Sequence, residues 1–496
     1  MELTTIGNLG ITFHNLGRYQ QAIYSFQQHL AMSDEIGDQI GKKNALGNLG
    51  MTYASLGQYQ QAIDFFQQSL KLGQEIGFRA GEVRSLISLG VIYDDLGQFQ
   101  QAINFLQQAL KIAHELNYRH AEGSILLNLS ATHLNLEQHQ SSFSFVQQAI
   151  EIFREIGDRA GEGSAIGSWG NTYFALSQYE QAIELYQQEL EINREVGNIA
   201  NEGTTLNNLG VALFNNGNLS QAEDQLFAAI NILETLRLGG LPEEQRISLV
   251  ETQLSTFQNL QNVLIDQNKI KTALEVAERG RARIFLEELA LRLNPEFTAQ
   301  FDELPLPNIA QIQKIAKDQN ATLVQYSIIQ DKELFIWVIQ STGRVEFQRI
   351  NLKDQSINLS DIVDIARSSM GVFRSVVDWG EQNDSPLITS TQLNRKLQQL
   401  HQILIVPIKE FLPHDPDQLV VFIPQDELFL VPFAALQDSE GNYLIDQHII
   451  LTTPSIQVLD STRKQQAKVQ QANLQENLVI GDPTMPPLSL VPGEPS

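Results

Sequence analysis

Apolar residues in the first half of the chain recur at steps of three and four, and the whole block then returns every forty residues. Over residues 41–80, Leu46, Leu49, Gly50 and Tyr53 form one stripe, and Ala62, Phe66 and Leu70 form a second. That spacing predicts two helices, each with one apolar face. Gly57 separates the stripes and permits a tight turn between antiparallel partners, and Gly77 closes the second helix. Gly50 and Ala62 let the two helices approach closely, while Tyr53, Tyr59 and Phe66 fill the layer around them.

Three sets of markers keep the forty-residue phase. Asn8-Leu9-Gly10 returns as Asn48-Leu49-Gly50, Ser88-Leu89-Gly90, Asn128-Leu129-Ser130, Ser168-Trp169-Gly170 and Asn208-Leu209-Gly210. Leu16-Gly17, Leu56-Gly57 and Leu96-Gly97 continue more weakly as Leu136, Leu176 and Gly217. Ala22, Ala62, Ala102, Ser142, Ala182 and Ala222 complete the pattern, which defines six units over residues 1–238. Unit four departs most, because Ser130, His133 and Ser142 replace the Gly, Tyr and Ala of its neighbours, and looser packing is expected there. Met1 falls inside the first helix of unit one, which implies an array shortened at that end.

The unit resembles a tetratricopeptide repeat (TPR). Its small and large positions match at Leu49, Gly50, Tyr53, Gly57, Tyr59, Ala62, Phe66 and Ser69. The forty-residue length and the joint from Glu155 to Gly163 are similar to the Leu-Gly-Asn repeats of scaffolds that grip extended peptides. Such units bury their faces only by stacking, so the resemblance implies a superhelical solenoid with a concave groove lined by the first helix of each unit. Asn8, Asn48, Ser88, Asn128, Ser168 and Asn208 then stand at one height along that groove. An asparagine amide both donates and accepts, so a ladder of them can pair with a peptide backbone whatever its sequence. The alternative is that these small polar residues bond to adjacent helices and set the repeat geometry. The paired glutamines, such as Gln60-Gln61 and Gln100-Gln101, read as solvated outer surface. Arg79, Arg119 and Arg159 each precede Glu82, Glu122 and Glu162 by three residues at a helix start, which predicts local pairing.

Beyond Leu238-Gly239-Gly240-Leu241-Pro242 the phase is lost. Residues 239–293 read as a further long helical hairpin, with helices over 243–268 and 269–292. Arg279, Arg281 and Arg283 lie among Glu275, Glu278, Glu287 and Glu288, so this stretch reads as a charged helix face. Pro295, Pro305 and Pro307 mark 294–308 as a linker. The period then changes to that of strands over 321–329, 333–340, 344–350, 418–424, 428–436 and 476–483, with helices over 357–377 and 391–412. Strands mixed with helices predict an α/β domain over 309–496.

Composition narrows the chemistry. The net charge of −25 disfavours nucleic acid and anionic membrane surfaces. No run approaches the ~18 apolar residues of a membrane helix, and the N-terminus lacks the basic and apolar regions of a secretory signal, so a cytoplasmic location is expected. His114/His120 and His133/His139 are six apart, off one helical face, so no metal site is expected. No phosphate loop or dinucleotide loop is present, and no cofactor is expected.

The second half resembles a CHAT domain, the caspase-like domain that follows TPR arrays in bacteria. The likeness is carried by Glu278-Arg279-Gly280-Arg281-Ala282-Arg283, Leu323-Val324-Gln325-Tyr326, Leu404-Ile405-Val406-Pro407, Phe422 to Leu428, Val431 to Leu436, Pro454-Ser455 and Val479 to Pro483. In that family a His-Gly and an Ala-Cys on later strands cleave peptides by thiolate attack. None of the nine histidines here precedes a glycine, and there is no cysteine, so no catalytic residue can be assigned. The expected architecture is an all-α TPR superhelix (solenoid) followed by a partial α/β caspase-like domain, truncated before its catalytic strands. The expected function is a peptide-binding scaffold of regulatory or signalling type. The alternatives are a TPR-regulated cysteine endopeptidase, whose His and Cys lie beyond residue 496 or on a second chain, and an oligomerising array. A parallel sheet lacking its central strands would leave residues 310–496 poorly soluble alone.

Overall fold

The forty-residue units fold as helical hairpins in the computed structural model, which describes residues 2–16, 18–238, 243–293, 307–330, 332–352, 359, 361–363 and 390–471. The pairs are α1 (Glu2–Asn15) with α2 (Tyr19–Glu35), α3 (Gln39–Ser55) with α4 (Tyr59–Glu75), and α5 (Arg79–Asp95) with α6 (Phe99–Glu115). They continue as α7 (Arg119–Asn135) with α8 (His139–Glu155), α9 (Arg159–Ala175) with α10 (Tyr179–Val196), and α11 (Ile199–Asn215) with α12 (Leu219–Leu238). Leu49, Leu89, Leu129 and Leu209 are buried at one phase between neighbouring units.

The glycine that follows Leu49, Leu89 and Leu209 is required by a close approach. A Cβ on Gly90 would lie 2.7 Å from Leu106 Cγ, and one on Gly210 would lie 2.6 Å from Leu226 Cγ. Unit four solves the same layer differently. Ser130 and Ser142 are buried and their hydroxyls pair at 2.8 Å, with Ser142 also 3.0 Å from Thr172 Oγ1. Its layer is closed by hydrogen bonds, so the looser packing expected there is not observed. The hairpin turns need a left-handed residue. Gly57 and Gly97 supply it at φ of 70° and 69°, whereas units four and five place Glu137 and Ser177 there, both at 58°.

Two longer helices follow, α13 (Glu243–Asp266) and α14 (Ile270–Leu293), then α15 (Ile309–Asp318). α13 also meets α1, so the end of the array comes back to its beginning. The sheet has the order β3-β2-β1-β4-β5, with β1 Ala321–Ile329, β2 Glu333–Ile339, β3 Val345–Asn351, β4 Leu419–Ile423 and β5 Ile449–Thr452. β1, β2 and β3 form an antiparallel meander, with Leu323 opposite Ile339, while β4 and β5 run parallel to β1, with Val324 beside Phe422. The sheet is therefore mixed, not parallel as expected. α16 (Ser390–Leu404) and α17 (Ile456–Gln471) complete the described elements.

Three expectations are corrected. Residues 428–436 form no strand, because Pro432 has no ladder N–H, and two 3₁₀ turns, Asp426–Leu430 and Phe433–Ala435, take their place. The helix expected to run to 412 ends at Leu404 and continues as a 3₁₀ turn over Val406–Phe411, with Pro407 at its start. The third is an added strand: β5 is not among the expected strands because its apolar run, Ile449-Ile450-Leu451, is short, and three of its four residues are exposed at the sheet edge. Apart from 359 and 361–363, the elements expected over 357–377 and 476–483 lie outside the described residues, as do 294–306 of the expected linker.

One face of the sheet and the last repeats share a single core. It runs from Ala182 and Tyr186 through Leu260, Leu274 and Ala277 to Leu323, Phe335, Trp337 and Leu459. The opposite face is closed by a second cluster that includes Tyr326, Leu400, Phe422 and Phe433. α14 thus serves both as the last layer of the stack and as a cover for the sheet.

Candidate peptide groove and its junction with the sheet

Neighbouring first helices touch in the pairs α1–α3, α3–α5, α5–α7 and α7–α9, more closely than neighbouring second helices do. The stack therefore bends toward the first helices, whose free face is the concave one. On α5 that face shows Arg84, Ser88, Val91 and Asp95, at the four-, three- and four-residue steps of one helical stripe.

The six ladder positions lie on this stripe. Asn8 is exposed, and Asn48, Ser88, Asn128, Ser168 and Asn208 are half-exposed. Ser88 Oγ and Ser168 Oγ donate to the main-chain oxygens of Arg84 (3.1 Å) and Ser164 (3.0 Å), so their hydroxyl protons are spent within the helix. Among the described residues, the side-chain amides of Asn8, Asn48 and Asn128 form no hydrogen bond. Asn208 differs. Its Oδ1 accepts from Asn207 Nδ2 (3.4 Å), Asn207 Oδ1 accepts from Asn259 Nδ2 (3.0 Å), and Asn259 Oδ1 accepts from Gln330 Nε2 (3.0 Å). A chain of amides with one donor direction therefore leads from the groove, through α13, to the end of β1.

A feature missed from sequence shares the stripe. Ile11, Met51 and Val91 are each 39% exposed, forty residues apart. Ala131, Asn171 and Val211 follow in the same phase, so large exposed apolar side chains run unbroken only through units one to three. The forty-residue register that located the asparagines locates this rail too.

The arginine ladder lies at the joints. Arg79 and Arg159 reach Glu82 (3.0 Å) and Glu162 (2.6 Å), as the three-residue spacing predicts, and Arg119 reaches Glu122. Each also reaches a carboxylate thirty-six residues on, Glu115, Glu155 or Glu195, at the end of its own hairpin. Between α6, α7 and α8 these residues border a cleft of about 600 Å³ that includes His114, Arg119, Glu122 and Glu155.

The basic cluster of α14 is not a charged outer face. Arg279 pairs with Glu234 on α12, and both side chains are nearly buried. Arg281 donates to the main-chain oxygens of Ile423 (3.2 Å), Pro424 (2.5 Å) and Tyr326, and to Gln425 Oε1 (3.1 Å). Gln425 Oε1 also accepts from Ser327 Oγ (2.8 Å) and Ile328 N (3.2 Å). Glu278, fully buried, accepts from the main-chain N–H of Gln457 at 2.8 Å and so caps α17 from a distance of 179 residues. Burial lifts the Glu278 carboxyl to about 7, against the opposing pull of the Gln457 and Ile456 N–H groups and of Arg281. Arg283 lies among the residues whose side chains are not described.

Among the described residues no group of three or more His, Asp and Glu is placed to hold a metal ion, and no helix is long and apolar enough to cross a membrane.

A solenoid of helical hairpins fused through its last helix to a small α/β domain defines the class. Tetratricopeptide repeat models match residues 43–115, 82–155, 121–195 and 162–235, with a further match over 5–40, and a CHAT domain model matches 394–494. The protein is an array of tetratricopeptide repeats followed by a CHAT domain. It is 33% identical to the mouse tetratricopeptide repeat protein 28 over 154 residues, or 30% of this chain and 6% of that protein. To the human protein of the same name it is 26% identical over 373 residues, 56% of this chain and 15% of the relative. The chain thus spans a small part of these relatives. Among solved structures, the apo form of RapI aligns at 14% identity and a TM-score of 0.43, covering 56% of this chain and 95% of that one. BtubC from P. vanneervenii aligns at 19% identity and a TM-score of 0.38, covering 46% and 92%.

Proposed function

We propose that the chain is a protein-binding scaffold whose concave face holds an extended peptide or protein segment on the ladder Asn8, Asn48, Asn128 and Asn208, with Ser88 and Ser168 in the same phase. One observation carries this reading. The amides of Asn8, Asn48 and Asn128 stand on the free face of the first helices with their donors and acceptors unspent among the described residues. In this division of labour residues 1–238 hold the partner, 239–293 form the joint, 294–308 link, and 309–496 supply a CHAT-like part with a regulatory role in the cytoplasm.

The test is the triple substitution Asn48→Ala, Asn128→Ala and Asn208→Ala. Peptides selected by display on the unaltered protein should lose at least tenfold in affinity by fluorescence anisotropy, with far-UV circular dichroism unchanged. Retained affinity at unchanged helicity removes the ladder as the binding element.

The CHAT match favours a second reading, a TPR-regulated cysteine endopeptidase. These 496 residues hold no cysteine, so the nucleophile in that reading comes from a second chain or from residues outside them. Cleavage of a selected peptide on adding a candidate second chain, lost when that chain's cysteine becomes alanine, would establish it.

A further inference from the structure

The concave stripe is almost free of charge in a chain of net charge −25. Its four recurring positions read Thr4, Asn44, Arg84, Ser124, Ser164, Thr204; the ladder itself; Ile11, Met51, Val91, Ala131, Asn171, Val211; and Asn15, Ser55, Asp95, Asn135, Ala175, Asn215. Only Arg84 and Asp95 carry full charge, and both belong to α5, on either side of Val91. Asp95 is exposed and its carboxyl is pushed up by partial burial and by its neighbour Asp94, so a cation placed there relieves an existing repulsion. Asp94 itself is held at 3.0 Å by Asn135 of the next unit.

Spacing fixes the ligand's conformation. Touching helices lie about 8–10 Å apart. A polyproline II segment rises about 3.1 Å per residue with three residues per turn, so one turn spans one unit and every third side chain faces the same side. A β-strand would turn successive third residues to opposite faces. Polyproline II also leaves its backbone N–H and C=O groups without internal partners, which suits a row of unspent amides.

We propose that units one to three bind a polyproline II segment with an apolar side chain at every third position, set against Ile11, Met51 and Val91. The residues flanking the one that meets Val91 point to the two rims, one acidic toward Arg84 and one basic toward Asp95. This rests on the peptide-holding reading and names its ligand class.

The probes are fluorescein-labelled peptides built of Leu-Pro-Gln triplets, with one Glu and one Lys bracketing a terminal leucine. One control carries the same residues with leucine at every second position, and another has Gln in place of Glu and Lys. The parent peptide should bind best. Met51→Glu and Val91→Glu should each weaken it about tenfold, as expected for placing a charge against a buried leucine. Arg84→Gln and Asp95→Asn should each cost about threefold, the scale of an exposed ion pair, and should leave the uncharged control unaffected. If the every-second-residue control binds as well as the parent, or the Glu variants bind like the unaltered protein, this ligand class is wrong. The peptide-holding reading still stands in that case if the triple asparagine variant loses the display-selected peptides. Failure of every peptide with the unaltered protein removes both.

Discussion

Arg281 on α14 donates to the side-chain oxygen of Gln425 at 3.1 Å, joining residues 144 apart where β1 and β4 end. The same guanidinium takes the main-chain oxygens of Tyr326, Ile423 and Pro424, so it sits where the carboxyl ends of two parallel strands would otherwise leave acceptors unpaired. This joint makes the last hairpin of the array part of the α/β domain.

Arg281→Met should therefore destabilise the sheet more than the repeats. It strands several buried acceptors and leaves Glu278 without its cation, and the expected loss is about 3 kcal/mol. Hydrogen exchange should accelerate at β1 and β4 amides while α3 to α8 keep their protection. Uniform exchange across both regions would show that Arg281 is not the joint.

Glu137 and Ser177 occupy the left-handed turn position that Gly57, Gly97 and Gly217 fill elsewhere. A left-handed L-residue costs about 1–2 kcal/mol, partly offset in glycine by its larger unfolded-state entropy. Glu137→Gly and Ser177→Gly should each stabilise the array by about 0.5–1 kcal/mol in urea unfolding. Gly57→Ala should destabilise it by a similar amount.

Glu189 is buried on α10, and Gly167 leaves it room, since a Cβ there would lie 2.4 Å from its carboxyl carbon. Burial raises its carboxyl to about 7, so the folded state binds a proton more tightly than the unfolded one. The stabilising contribution of the protonated form is complete below the unfolded value of about 4.3 and is lost as pH rises through about 7. Glu189→Gln should flatten that part of the stability–pH curve and raise the neutral-pH stability by up to about 3 kcal/mol. An unchanged slope between pH 5 and 7 would place the titration elsewhere.

Asn259 is the middle of the amide chain from Asn208 to Gln330. Asn259→Leu breaks it without touching the groove. Binding of selected peptides should change exchange rates at the β1–β2 turn in the unaltered protein and not in this variant. Persistence of that change in Asn259→Leu would rule out the amide chain as the carrier.

Phase and composition determined most of the array. Leu49, Gly50 and Gly57 state, at their own spacing, which faces are buried and where the chain turns, because repeat contacts are local and recur every forty residues. The same register places the asparagines on the concave stripe, and with them the apolar rail. Sequence also delimits β1 to β3, whose runs are long and bounded by turns. Tertiary structure alone decided the roles of Arg281 and Glu278, because their partners lie far along the chain and a guanidinium or carboxylate has the same local pattern whether it faces water or a strand end. It also decided that residues 428–436 turn instead of pairing, that β4 and β5 align with β1, and that Asn208 connects to Gln330. Pairing across long separations depends on which surfaces meet, and nothing within one helical or strand period encodes that.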